Sequence, residues 1–194
     1  MDRAQAHTLE AITAAMILVS SLVFALQVTA VTPLTGSTSS QHIENQQAAV
    51  AEGVLASADE QGTLLPTLLY WNESAGTWHG ATDDGYVRSG PPTAFGSVLN
   101  ETFLDRGIAF DLTLYYIDDD GERQPQPIVD LGQPSDHASS ARRIVTLSDD
   151  DHLRDPDGSV SSTTLSNASY PVDDADPTQQ LYTVVEVELV VWRI

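Results

Sequence analysis

The chain contains no cysteine and no lysine. Without thiols it forms no disulfide and no thiolate metal site, so packing alone must hold its fold. Without lysine, all eight basic residues are arginines: Arg3, Arg88, Arg106, Arg123, Arg142, Arg143, Arg154 and Arg193. Against them stand 28 acids, for a formal net charge of −20. Residues 1–33 carry only Asp2, Arg3 and Glu10, so nearly all of that charge belongs to the remainder. Such a surface repels phosphate backbones, and nucleic-acid partners are excluded. Acidic chains poor in aromatics are often disordered. Here strand-like apolar segments recur to the last residue, which confines that reading to loops.

Catalytic and metal motifs are absent too. The five histidines, His7, His42, His79, His137 and His152, show neither HExxH nor HxH spacing. There is no GxSxG elbow, no GxGxxG and no P-loop. Ser135-Asp136-His137 sets triad residue types side by side, but a triad is assembled in space, not by adjacency. The acidic runs Asp149–Asp151 and Asp155–Gly158 invite a calcium reading. Leu153 and Thr164 occupy slots where an EF-hand loop needs acids, so these runs, with Asp118–Asp120 and Asp173-Asp174, read as solvated turns. The expectation is a protein that is not an enzyme and holds no cofactor or metal.

What is present is a long uncharged run. Ala11–Val31 passes 21 positions without a charge. As one helix it reaches roughly 31 Å, enough for the ~30 Å hydrocarbon core of a bilayer. Its polar members are mostly Ser and Thr, whose hydroxyls bond back to the preceding turn. Thr8 is a candidate N-cap, and Pro33 with Gly36 is expected to end the helix. The expected organisation is residues 1–10 as a short leader, 11–31 as a transmembrane helix, 32–41 as a flexible linker and 42–194 as an acidic domain outside the cell.

That domain reads as α+β, a helix packed on an antiparallel sheet. Ile43, Val50, Val54 and Leu55 fall at helical spacing in a segment ending by Gly62. Thr67–Trp71 and Thr77–His79 flank NESAG as a hairpin that brings Trp71 close to Trp78. Phe110–Ile117 and Arg143–Leu147 read as strands. Tyr182–Arg193 alternates, with Val185, Val187, Leu189 and Val191 on one face and Glu186 and Glu188 on the other. Pro125, Pro127, Pro134, Pro156, Pro171 and Pro177 read as punctuating connections. The three tryptophans, Trp71, Trp78 and Trp192, are expected in the core. Three sequons, at Asn72, Asn100 and Asn167, fall in expected turns as candidate N-glycosylation sites, consistent with an outside location.

Absent lysine, abundant aspartate and a pI near 4.1 resemble haloarchaeal proteins, in which dense carboxylates are screened by salt. The stretch Arg3-Ala4-Gln5-Ala6-His7-Thr8-Leu9-Glu10, followed directly by a hydrophobic helix, resembles the class III signal of archaeal type IV pilin-like proteins. That resemblance implies cleavage between Ala4 and Gln5 by a membrane-embedded prepilin peptidase. It also implies retention of the helix on the mature subunit and assembly with other pilin-like subunits. Glu10 would then pair with the N-terminal amine of a neighbouring subunit. The expected function is a minor or accessory pilin-like subunit anchored in the cell membrane by a single pass, its acidic, glycosylated head outside. The alternatives are a monomeric anchored binding protein with a site near Trp71 and Trp78, a domain freed by cleavage after Ala30, or a hydrolase with an unrecognised site.

Overall fold

The computed structural model describes residues 2–30 and 34–194, with side chains at positions 7, 10–24 and 42–194. The chain divides into two compact units, Met1–His42 and Ile43–Ile194.

Helix α1 runs Asp2–Ala30. It starts well before Thr8, so Thr8 lies inside the helix instead of capping it. Thr13 and Ser21 hydroxyls donate to the carbonyls of Glu10 (3.0 Å) and Leu18 (2.9 Å), the back-bonding that makes such residues tolerable in an apolar helix. Among the described residues no helix is long and apolar enough to cross a membrane. The described side chains cover Ala11–Phe24 of the expected span; the side chains from Ala25 onward, and Val31 and Pro33 altogether, lie outside the described residues. Helix α2, Leu34–Glu60, begins where a flexible linker was expected over 32–41. Gly36 and the Ser and Thr residues around it are weak helix formers costing under about 1 kcal/mol each, which disfavours a helix without forbidding one.

In the second unit, α2 turns one stripe inward: Gln47, Ala51, Leu55 and Ala58 are buried. Ile43 and Val50 of the expected face are exposed instead, and Val54 is only partly covered. The helix closes at Gly62, whose φ of 68° suits a residue without a side chain, and the Thr63 N–H reaches back to Ala58 O at 2.8 Å.

A short helix α3, Leu64–Leu68, replaces the first half of the expected strand. Leu64 and Leu68 enter the core, and the Thr67 hydroxyl donates to Thr63 O at 3.1 Å. The hairpin then forms as expected from β1, Trp71–Asn72, and β2, Thr77–Trp78, with Trp71 opposite Trp78. The indoles meet edge to face at 5.1 Å, and their N–H groups donate to Ser169 O and Pro127 O, both at 2.8 Å. Both rings are buried with their polar edges satisfied, a core pair.

Helix α4, Ala94–Thr102, is capped by Thr93, whose hydroxyl accepts from Gly96 N. The main sheet has the order β4-β3-β8-β5, all antiparallel, from β3 (Ile108–Ile117), β4 (Arg123–Val129), β5 (Ser139–Ser148) and β8 (Leu181–Arg193). Strands β6, His152–Arg154, and β7, Val160–Thr164, pair separately. Pro125 and Pro127, expected in a connection, lie within β4, an edge strand, where a missing N–H on the open side is tolerated.

Alternation decides the two faces of the sheet. Phe110, Leu112 and Leu114 of β3, Ala141, Val145 and Leu147 of β5, and Val185, Val187, Leu189 and Val191 of β8 share one buried cluster with Ala51, Leu55 and Ala58 of α2. The fold is therefore α+β, one stripe of α2 sharing the core of an antiparallel sheet.

Candidate functional site

Two surfaces of the chain carry chemistry that the core does not use. The first is α1. Ile12, Met16, Ile17, Leu18, Val19, Leu22, Val23 and Phe24 are all exposed. Consecutive large apolar residues at 16–19 step 100° per residue, so they coat the helix on every side. Glu10 stands at the edge of this coat with its side chain 79% exposed, and the equally open His7 Nδ1 lies 3.6 Å away. An exposed pair of that kind holds a carboxylate weakly, leaving it available to another charge. Ala4 and Gln5 fall on the backbone of α1, with side chains outside the described residues.

The second is the outer face of the sheet, which the register lays out in rows. Pro125, Tyr115, Glu186 and Ile144 form one row across the four strands, and Pro127, Thr113, Glu188 and Arg142 the next. Glu186 accepts a charged hydrogen bond from Arg123, and Arg142 donates to Glu188 through its Nε at 2.8 Å and a terminal nitrogen at 2.7 Å. The Arg123 guanidinium lies 3.4 Å above the Tyr115 ring, a cation–π contact. Burial first, then the neighbouring Glu188 carboxylate, pushes the Tyr115 phenol above its ordinary pKa, so it stays a hydrogen-bond donor. Beside this neutral network, Ile117, Ile144 and Val184 are exposed and line a shallow cavity of about 200 Å³ with Tyr115, Arg123 and Glu186.

The three sequons fare differently. Asn72 opens the hairpin turn, its Oδ1 accepting from the N–H groups of Ser74 (3.1 Å) and Ala75 (3.3 Å). Asn167 is exposed in the 3-10 turn Leu165–Asn167. Asn100 lies in α4, not in a turn, and its Oδ1 accepts from Gly90 N at 2.8 Å. A carboxamide tied to a neighbouring loop from within a helix is a poor glycan acceptor.

Other residues named from sequence turn to structural work. His137 Nδ1 sits 2.8 Å from Glu44, and the Ser139 hydroxyl donates to the Glu44 carbonyl, so Ser135-Asp136-His137 lies where β5 is tied to α2. Asp118 accepts from the N–H groups of Asp120 (3.1 Å) and Glu122 (2.8 Å) and from the Gln124 amide at 2.7 Å, which holds its carboxyl below the usual range. Asp157 and Asp176 accept from backbone N–H groups two residues on in the same way. Trp71 and Trp78, being buried, offer no open platform.

The outer-face network was not visible in the sequence. Glu186 and Glu188 were legible as one face of β8, but their partners lie 63 and 46 residues away. The pairing of β8 with β3 and β5 decides which arginines they meet.

A helix coated in apolar side chains, followed by an α+β unit in which α2, α3 and α4 share a core with a four-stranded antiparallel sheet, defines the class of protein. The chain belongs to the DUF7288 family, a family of unknown function whose profile matches residues 3–191. No curated protein and no solved structure matches it.

Proposed function

We propose that the protein is a pilin-like subunit, minor or accessory in kind, anchored in the membrane through α1 with its acidic head outside the cell. One observation carries the reading. Among the described residues, α1 exposes large apolar side chains on every side over Ala11–Phe24. A helix apolar all round is stable only inside lipid or among other helices. Glu10 at its lip, beside an open histidine among the described residues, suits pairing with the amine of a neighbouring subunit, because an acid at the membrane boundary gains most from a paired cation. The fold of the head, helix on antiparallel sheet, agrees with this reading. The size of the head favours an accessory role over that of main filament former.

The test is the mature N-terminus of protein isolated from native membranes, read by mass spectrometry. A start at Gln5 or Ala6 supports processing by a prepilin peptidase. A start at Val31 means a freed domain and overturns the anchor; an intact Met1 leaves an anchored surface protein and overturns pilin-type processing. Glu10→Gln, which keeps shape and removes charge, is expected to reduce incorporation into assemblies by about tenfold or more while leaving processing and membrane insertion intact. Unchanged incorporation would remove the assembly role of Glu10.

A further inference from the structure

The four-stranded sheet has two edges of opposite character. On one side β4 carries Pro125 and Pro127, which present no N–H, and its end is covered by a bridge between Val129 and Tyr86. On the other side β5 runs Ser139–Ser148 without a proline. Among the described residues the backbone of Ser140–Leu147 makes no hydrogen bond besides those to β8. A long strand with an unpaired edge is a template for another strand.

We infer that β5 is the site at which a second copy of this chain docks, edge to edge, about a two-fold axis normal to the sheet. Three observations select this occupant. The proline-bearing β4 edge cannot complete a head-to-tail ladder, so sheet extension between copies must be β5 on β5. The strand itself, although Glu52 of α2 lies nearby, also brings no acid to the contact in a chain of net charge −20. It carries Arg142 and Arg143 and no carboxylate, and both arginines are already balanced, by Glu188 and by Asp59 at 2.5 Å. Finally, Ile144 is 67% exposed at the middle of the strand, beside exposed Val184.

The register follows from the same residues. An axis normal to the sheet keeps faces together, so each residue of β5 meets one of the same face. Centring the pair on Arg142 or Arg143 sets like charges directly opposite, which is unfavourable. Centring it on Ile144 places Ile144 against its own copy, Arg142 opposite Thr146 and Arg143 opposite Val145. Exposed Ile144 is then covered by its twin. On the α2 side, a groove of about 320 Å³ between Ala48, Glu52 and Ser140–Arg142 leaves room along the edge for the incoming strand.

The cysteine-free sequence makes the test clean. Ile144→Cys in the full chain, held in detergent at molar salt and oxidised, is expected to give a disulfide-linked dimer. Directly opposed strand residues sit about 4.5–5.5 Å apart, within disulfide reach. Thr146→Cys alone and Val98→Cys, an exposed position on α4, should stay monomeric under the same treatment, and the double variant Arg142→Cys/Thr146→Cys should link. Sedimentation of the parent chain should show a concentration-dependent dimer, weakened about tenfold or more in Ile144→Lys, where two like charges would be opposed. A monomer at every concentration, linkage of Ile144→Cys no faster than Val98→Cys, linkage at Thr146→Cys in its place, or association indifferent to Ile144→Lys would each overturn the inference. The contact is independent of the pilin-like reading: a mature start at Val31 would defeat that reading and leave the β5 dimer untouched.

Discussion

Among the carboxylates of the head, Asp111 and Asp149 are set against their own charge, and Asp111 is the one on the main sheet. It lies on β3 opposite Val190, accepts from Leu131 N at 2.8 Å, and has Asp130 nearby. Burial pushes its carboxyl up from 3.8 to about 6, the Leu131 N–H pulls it part of the way back, and Asp130 adds to the rise. An acid that binds its proton more tightly when folded makes the folded state the more protonated one between those two values. Stability from this group is therefore greatest below about pH 4 and is lost as pH rises through about 6. With Asp111 only partly buried, solvent screening reduces the loss to the order of 1–2 kcal/mol. Asp111→Asn keeps an acceptor for Leu131 and should match the parent in acid, then exceed it by that amount at neutral pH. Paired urea titrations from pH 3.5 to 7.5 check this, and a difference that does not vary with pH would refute it. Nothing in the sequence singled out Asp111, since its environment depends on a loop 20 residues further on. Glu10, by contrast, is marked by its place at the end of an uncharged run.

At the scale of elements, α4 is fixed by a contact that only glycine permits. A Cβ on Gly96 would stand 1.9 Å from the Pro91 carbonyl oxygen and 2.8 Å from its carbon, both backbone atoms. Gly96→Ala must therefore push α4 away from the Pro91-Pro92 loop, and with it Phe95 and Leu99, both fully buried. The expected loss is about 2–4 kcal/mol, read as a lower denaturation midpoint, whereas Gly53→Ala in α2 meets open space and should stabilise by up to about 1 kcal/mol. Equal effects of the two would show that α4 is not held by this approach. These elements also mark where sequence reading stops. The alternation of β8 was legible because large apolar residues fill every second position. The buried stripe of α2 was misplaced because two of its members are alanines and one is Gln47, which contribute little periodic contrast, while Ile43 and Val50 are large and exposed. Helix α4 passed unread although Thr93 before Phe95 and Leu99 is a usable start. Strand β4 was hidden by prolines that only an edge position accommodates.

For the molecule as a whole the governing quantity is charge. The surface of the head carries most of a −20 net charge, and three of its seven arginines, Arg123, Arg142 and Arg143, are drawn into pairs with Glu186, Glu188 and Asp59. Elsewhere carboxylates face one another, as around Asp149, where Asp174 and Asp150 add to burial in raising the carboxyl. Repulsion of this kind acts over about 10 Å at 0.1 M salt and about 3 Å at 1 M, so added salt removes it while leaving short, partly buried pairs such as Arg142–Glu188 largely intact. The folded chain should therefore gain stability steeply with salt, with a midpoint rise of roughly 10 °C between 0.1 M and 2 M, equivalent to about 3 kcal/mol for a domain of this size. Salts also strengthen apolar burial, sulfate most of all. The two mechanisms separate when chlorides and sulfates are compared at equal ionic strength. Screening predicts that most of the gain arrives below about 1 M and is nearly the same for both anions. Burial predicts a steady climb with sulfate far ahead. If the second pattern were found, the acidic surface would be a means of staying soluble in brine, and the stability of the head would have to be traced to its core alone.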